Sequence, residues 1–138
     1  MIHHAVNKIR AGYFNTALIT DKGHLLLQGM NNCAQLTLPM EISKQLDFFP
    51  DFMKIDSLND YFVKDVAFSS ATVHALCEHK LTGRVKLFGW GHNTFKQLGE
   101  EDEKLVSYEP IDMTSIFVEQ KGIEHTQDVI FDDDDEII

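Results

Sequence analysis

The sequence predicts an all-β fold in which one unit of short antiparallel strands occurs twice, as blades of a β-propeller do. Three observations carry this expectation. The block Gly29-Met30-Asn31-Asn32-Cys33-Ala34-Gln35-Leu36 returns 62 residues later as Gly91-His92-Asn93-Thr94-Phe95-Lys96-Gln97-Leu98, with Gly, Asn, Gln and Leu at the same four places. Upstream of each block lie two short apolar stretches separated by a glycine-bearing turn. No apolar run exceeds three residues, whereas a membrane-crossing helix needs about 20. A repeat at fixed spacing guides the fold more strongly than a single motif, because each unit must bury its apolar face against a neighbour.

The elements follow in order. Ile9-Arg10-Ala11-Gly12 leads into a β-compatible run from Thr16 to Thr20. Asp21-Lys22-Gly23 is a turn, with glycine free to take positive φ. Leu25-Leu26-Leu27 is a fully apolar strand, and Gly29 to Gln35 is polar and turn-like, so the unit reads as a hairpin with a glycine-marked exit. In the second unit Val66-Ala67-Phe68-Ser69 leads into Val73 to Cys77, and Leu87-Phe88-Gly89-Trp90 forms the equivalent of the leucine strand. The upstream blocks are 57 rather than 62 residues apart, which places about five extra residues in the second unit. The stretch His79 to Arg84 is expected to hold them as a wide loop. Strands apolar at successive positions suit sheets covered on both faces, as in stacked blades. Residues 40–62 carry Phe48, Phe49, Phe52, Tyr61 and Phe62 and are interrupted by Pro50. They are expected to form the connection and outer strand of the first blade, with Glu41 to Leu46 open to a short helix. Trp90, at a strand end between two glycines, is expected to pack between blades.

Charge is unevenly spread. The net charge is −10, but residues 1–99 sum to +2 and residues 100–138 to −12. Phosphate binding is driven by Lys and Arg, and no basic cluster stands out, so neither nucleic acid nor a membrane is an expected partner. Residues 1–8 contain no apolar leader core, so a secretory signal is not expected there. Cys33 and Cys77 are too few for a disulfide framework in a chain able to bury a core. An intracellular, reducing location is the simplest expectation, cytoplasmic or cytoskeletal and ciliary before nuclear.

Candidate chemistry is sparse. His74, Cys77 and His79 are close in sequence, but on a strand His74 points away from the other two, and nothing pairs with Cys33 to complete four zinc ligands. Cys77 is better read as a small buried hydrophobe. A Cys-His nucleophile lacks a third orienting group and an oxyanion element. Gly89-Trp90-Gly91 lacks the Gly-Lys-Ser/Thr ending of a phosphate loop. Asp132 to Glu136 could bind a cation or a basic protein, although such runs are usually solvated. Asn31, Gln35, Asn93 and Gln97 read as turn residues that satisfy their own backbone. No catalytic, cofactor-binding or metal residue is therefore assigned, and no cofactor is expected.

The repeated residues resemble the RCC1 (regulator of chromosome condensation) repeat. The first unit matches it in Ala11-Gly12, Thr16, Leu18-Ile19-Thr20, Gly23, Gly29, Asn31 and Gln35-Leu36. The second matches in Val66-Ala67, Ala75-Leu76, Trp90-Gly91, Asn93 and Gln97-Leu98-Gly99. The family histidine is replaced by Asn15 and Thr72, and the family tryptophan by Gln28 in the first unit. Asp128-Val129-Ile130-Phe131 echoes Asp65-Val66-Ala67-Phe68 and reads as the start of a third repeat. The resemblance implies an incomplete RCC1-like propeller: residues 1–62 as the first repeat with its connection, 63–108 as the second, and 109–138 as an acidic segment. It implies a non-enzymatic, protein-binding platform within a larger assembly, its open blade edges covered by a protein partner. The alternative is part of a guanine-nucleotide exchange factor acting on a small GTPase.

Overall fold

The computed structural model describes residues 5–38, 47–93, 98 and 106–115. They form eight strands: β1 (Val6–Ala11), β2 (Asn15–Thr20), β3 (Leu25–Met30), β4 (Phe48–Lys54), β5 (Tyr61–Ser69), β6 (Thr72–His79), β7 (Val85–His92) and β8 (Val106–Asp112). A 3-10 turn, Asp56–Leu58, links β4 to β5. The strands make two four-stranded antiparallel sheets, β1-β2-β3-β4 and β5-β6-β7-β8. β5 lies against β1 and β2, so the sheets approach each other at their first strands, and β4 and β8 are the outer strands. This is the arrangement of two consecutive propeller blades.

The expected elements are present. β3 and β7 are third strands of their sheets and contain the leucine strand and the Trp90 strand. Gly23 closes the β2–β3 turn at φ 80°, with its N–H donating to Thr20 O at 2.9 Å. β4 supplies the outer strand expected in the Phe-rich connection. Pro50 sits within β4 and Pro110 within β8, where a missing N–H costs no ladder bond and blunts the sheet edge. Glu41 to Leu46 and the third-repeat start at Asp128 lie outside the described residues.

One expectation is corrected. The extra residues of the second unit are not gathered in a wide loop. β6 and β7 are each eight residues long against six in β2 and β3, and the turn between them grows by only one residue. Lengthening each strand by two residues preserves the period-2 alternation, so every side chain keeps its face. A consequence is that Ala17-Leu18-Ile19 corresponds to His74-Ala75-Leu76, one residue earlier than the apolar run Ala75-Leu76-Cys77. The boundaries 62/63 and 108/109 fall inside β5 and β8. The start of β5 and the outer strand β8 carry no repeat signature that would have located them.

Ladder irregularities repeat as well. β1 shifts register between Val6 and Lys8, and β5 between Val63 and Asp65, 57 residues on. β3 shifts against β4 between Leu27 and Gly29, and β7 against β8 between Gly89 and Gly91, 62 residues on. Bulges at equivalent places give both sheets the same bends.

The core lies between the sheets. The first blade contributes Ala17, Ile19, Leu25 and Leu27, and the second contributes Val66, Val73, Ala75, Cys77, Phe88 and Trp90. Trp90 is 0% exposed, and its indole N–H donates to Gln35 O of the first blade at 2.7 Å. Full burial of each large apolar side chain is worth about 1.5–3 kcal/mol, so this shared layer is the main term holding the blades together. Val63 N donates to Gly23 O at 2.9 Å, joining the backbones of the two blades directly. Burial pushes the Cys77 thiol up to about 12. At neutral pH it is a protonated packing group.

Candidate interaction surface

A clasp built twice fixes the surface. At the exit of β3, Gly29 has φ +118°, and a Cβ there would collide with Phe14 O. At the exit of β7, Gly91 has φ +102°, and a Cβ would lie 2.5 Å from Ala71 O. The next residue uses that same carbonyl: Met30 N donates to Phe14 O, and His92 N to Ala71 O, both at 3.2 Å. Asn15 Nδ2 donates to Met30 O at 2.9 Å, and Thr72 Oγ1 donates to His92 O at 2.8 Å. Two different residues at equivalent positions of the two units thus hold the same carbonyl. Asn31 Oδ1 accepts from Leu36 N at 2.9 Å, and Asn93 Oδ1 accepts from Leu98 N at 2.8 Å. Gln35 Oε1 accepts from Cys33 N at 2.9 Å. Asn31, Gln35 and Asn93 therefore do the backbone-satisfying work expected of them; Gln97 lies outside the described residues.

Each blade has one face on the shared core and one turned away. Register and alternation put Thr16, Leu18, Leu26 and Gln28 on the outward face of the first sheet. They are partly exposed, and Ile9 beside them on β1 is 61% exposed. His74, Leu76, Leu87 and Gly89 form the outward face of the second sheet. Leu98 and Met113 fill the space over Gly89. Tyr13 and Phe14, edge to face at 5.1 Å, project from the β1–β2 turn, with Tyr13 84% exposed. That turn is stiff: Gly12 N donates to Asn15 O at 2.7 Å, and Phe14 O belongs to the clasp. The exposed pair was missed in the sequence, although two adjacent aromatics after Gly12 in a turn were the available signal.

Polar contacts rim the junction between blades. Arg10 Nε meets Asp65 Oδ1 at 2.9 Å, and Lys8 Nζ lies 3.6 Å from the same carboxylate. Burial works against the Asp65 carboxylate, but the Arg10 and Val66 hydrogen bonds and Lys8 outweigh it and hold its pKa below the ordinary value. These side chains are about 41% exposed, so the pair contributes no more than about 1 kcal/mol and acts mainly on register.

The histidines and cysteines do not converge. His74 lies on the outward face, and Cys77 is buried on the inward one. His79 Nδ1 accepts from Leu81 N and Thr82 N at 3.2 and 3.3 Å, which orders the β6–β7 turn. Among the described residues no group of three or more His, Cys, Asp or Glu side chains could hold a metal ion.

No protein-family model matches the sequence, and no curated protein does. Solved structures do match. Human WBSCR16 aligns with a TM-score of 0.63 and 20% identity, over 81% of this chain and 26% of that one. Prp20p from Saccharomyces cerevisiae, studied for its binding to Gsp1p and histones, aligns with a TM-score of 0.64 and 16% identity, over 91% and 27%. A chain from Kap60 bound to yeast RCC1 (Prp20) gives 0.56 and 22%, over 81% and 23%. The two sheets are thus blades of a β-propeller, and more particularly they have the fold of RCC1-like blades. The chain spans about a quarter of the length of these structures.

Proposed function

We propose that the chain is a non-enzymatic protein-interaction module, two RCC1-like blades working as a component of a larger assembly. The observation that carries this reading is the pair of outward sheet faces, with Ile9, Leu18 and Leu26 on one and Leu76 and Leu87 on the other. A propeller of 4–8 blades covers such faces with neighbouring blades, so the cover in this reading is either a partner's surface or further repeats. The stiffly mounted Tyr13–Phe14 pair is a second contact point of the kind that anchors interfaces. The binding of Prp20p to Gsp1p and histones supports protein partners for this fold.

The second reading is a part of a guanine-nucleotide exchange factor, with a small GTPase as partner; it draws on the same likeness to Prp20p. No described residue is assigned to exchange. Neither nucleic acid nor membrane insertion belongs to the proposal. Residues 1–99 are nearly neutral, and no described helix is long and apolar enough to cross a membrane. We place the module inside the cell, cytoplasmic or cytoskeletal and ciliary.

The test is the native mass of the tagged chain recovered from cells, followed by identification of what is bound in stoichiometric amount. A defined complex well above the chain's own 15.8 kDa is expected. A free monomer would overturn the reading. Accelerated nucleotide release from a small GTPase by the purified chain would favour the exchange-factor alternative instead.

A further inference from the structure

We propose that the groove between the exit of the first blade and the outer strand of the second is a docking site for a proline-rich segment with a basic flank, presented by a partner protein. This rests on the interaction-module reading and names the chemistry of one partner. The groove lies between the two described blades, so its walls do not depend on what covers their outward faces.

The groove has a volume of about 700 Å³ and is lined by Leu38, Leu58, Tyr61, Phe88, Tyr108 and Pro110. Leu38 follows the first clasp, Leu58 belongs to the 3-10 turn linking the blades, and the other four come from β5, β7 and β8. Two contacts fix the walls. Tyr61 stands edge to face on Phe88 at 5.0 Å and on His79 at 5.1 Å. On the opposite side Ser57 Oγ donates to Thr37 Oγ1 at 3.2 Å. Walls ordered before binding lower the entropy lost when a ligand settles.

The lining suits a polyproline helix better than an added β-strand. Pro110 sits within β8 and has no N–H, and Glu109 O already accepts from Ser107 Oγ at 2.7 Å. This stretch of the outer edge therefore lacks the donor and the uncommitted acceptor that strand addition uses. Tyr61 and Tyr108 instead bring ring faces and hydroxyl donors to the groove. Burial raises the Tyr61 hydroxyl pKa above its ordinary value, against the pull of Lys86, so the donor proton is kept at neutral pH. A proline-rich helix offers rings to the aromatic faces and carbonyls to the hydroxyls, and its prolines have no N–H to leave unpaired. Glu109, exposed at the rim beside Pro110, makes no ion pair with a described residue. It is placed to meet an arginine next to the prolines.

Isothermal titration calorimetry tests this, with a synthetic peptide of six prolines between two arginines injected into the purified chain. Saturable one-to-one binding is expected. Tyr108→Ala should weaken it about tenfold, as loss of an interface aromatic does. Glu109→Lys should weaken it about threefold, an effect that shrinks as salt is raised. Native Trp90 emission checks that both variants fold, and Glu109 is exposed, so Glu109→Lys still decides the matter if Tyr108→Ala unfolds. A peptide alternating valine and threonine between the same arginines should not bind. No saturable binding at roughly millimolar peptide is the result if a second copy or another part of this chain fills the groove, and it would overturn the proposal. Equal binding of the valine-threonine peptide, or folded variants that bind like the parent, would overturn it too. If the peptide fails while the chain from cells carries a stoichiometric protein, only this inference falls and the interaction-module reading stands.

Discussion

Trp90→Ala is expected to lower stability by about 3–5 kcal/mol, the range for removing a large aromatic from a packed core. The effect is set by location. Trp90 is fully buried in the layer shared by both blades, and its N–H is bonded to a first-blade carbonyl, Gln35 O, at 2.7 Å. Truncation opens a cavity and leaves that carbonyl unpaired. Both losses fall on the contact between blades rather than within one sheet. Trp90→Phe should cost less, since it keeps most of the packing and loses chiefly the hydrogen bond, worth about 1 kcal/mol net. Urea denaturation followed by far-ultraviolet circular dichroism measures both variants. Equal stability of Trp90→Ala and the parent would mean that the blades are held by other contacts.

Gly91→Ala is expected to be almost as damaging, at about 2–5 kcal/mol, because strained backbone and overpacking add. Gly91 sits at φ +102°, and its added Cβ would meet Ala71 O at 2.5 Å, an atom held in place by His92 N. The backbone oxygen cannot rotate away as a flexible side chain could. Gly83 provides the control. It also has positive φ, at +74°, but nothing lies within 4 Å of its missing Cβ. Gly83→Ala should therefore cost only about 1 kcal/mol, the left-handed backbone penalty alone. Thermal melts of the two variants side by side give the difference. Equal destabilisation would show that the clasp is not rigid.

These two positions also show how much the sequence revealed. Gly91 and Asn93 were legible because the clasp demands particular residues: glycine for positive φ and asparagine to accept from Leu98 N, five residues on. The same demand at Gly29 and Asn31 produced the visible 62-residue spacing. Trp90 was legible because a large aromatic between glycines at a strand end has few other uses. The lengthened β6–β7 hairpin was not, since adding two residues to each strand leaves the apolar alternation unchanged and looks from the sequence like one loop insertion. β4 and β8 had blurred boundaries because bulges and prolines break their period. The outward faces could not be read at all. Leu18 and Leu26 look as apolar as Ala17 and Leu27, and only the pairing shows which set faces the second blade.

Two equivalent blades that share one core form a single folding unit. Unfolding the full chain while following Trp90 fluorescence and far-ultraviolet circular dichroism together tests this. Fluorescence reports the interface where Trp90 meets Gln35, and dichroism reports both sheets. Shared-core blades predict coincident transitions with one midpoint. A fluorescence change complete while a large part of the β signal persists would show blades that fold separately, and would contradict the account.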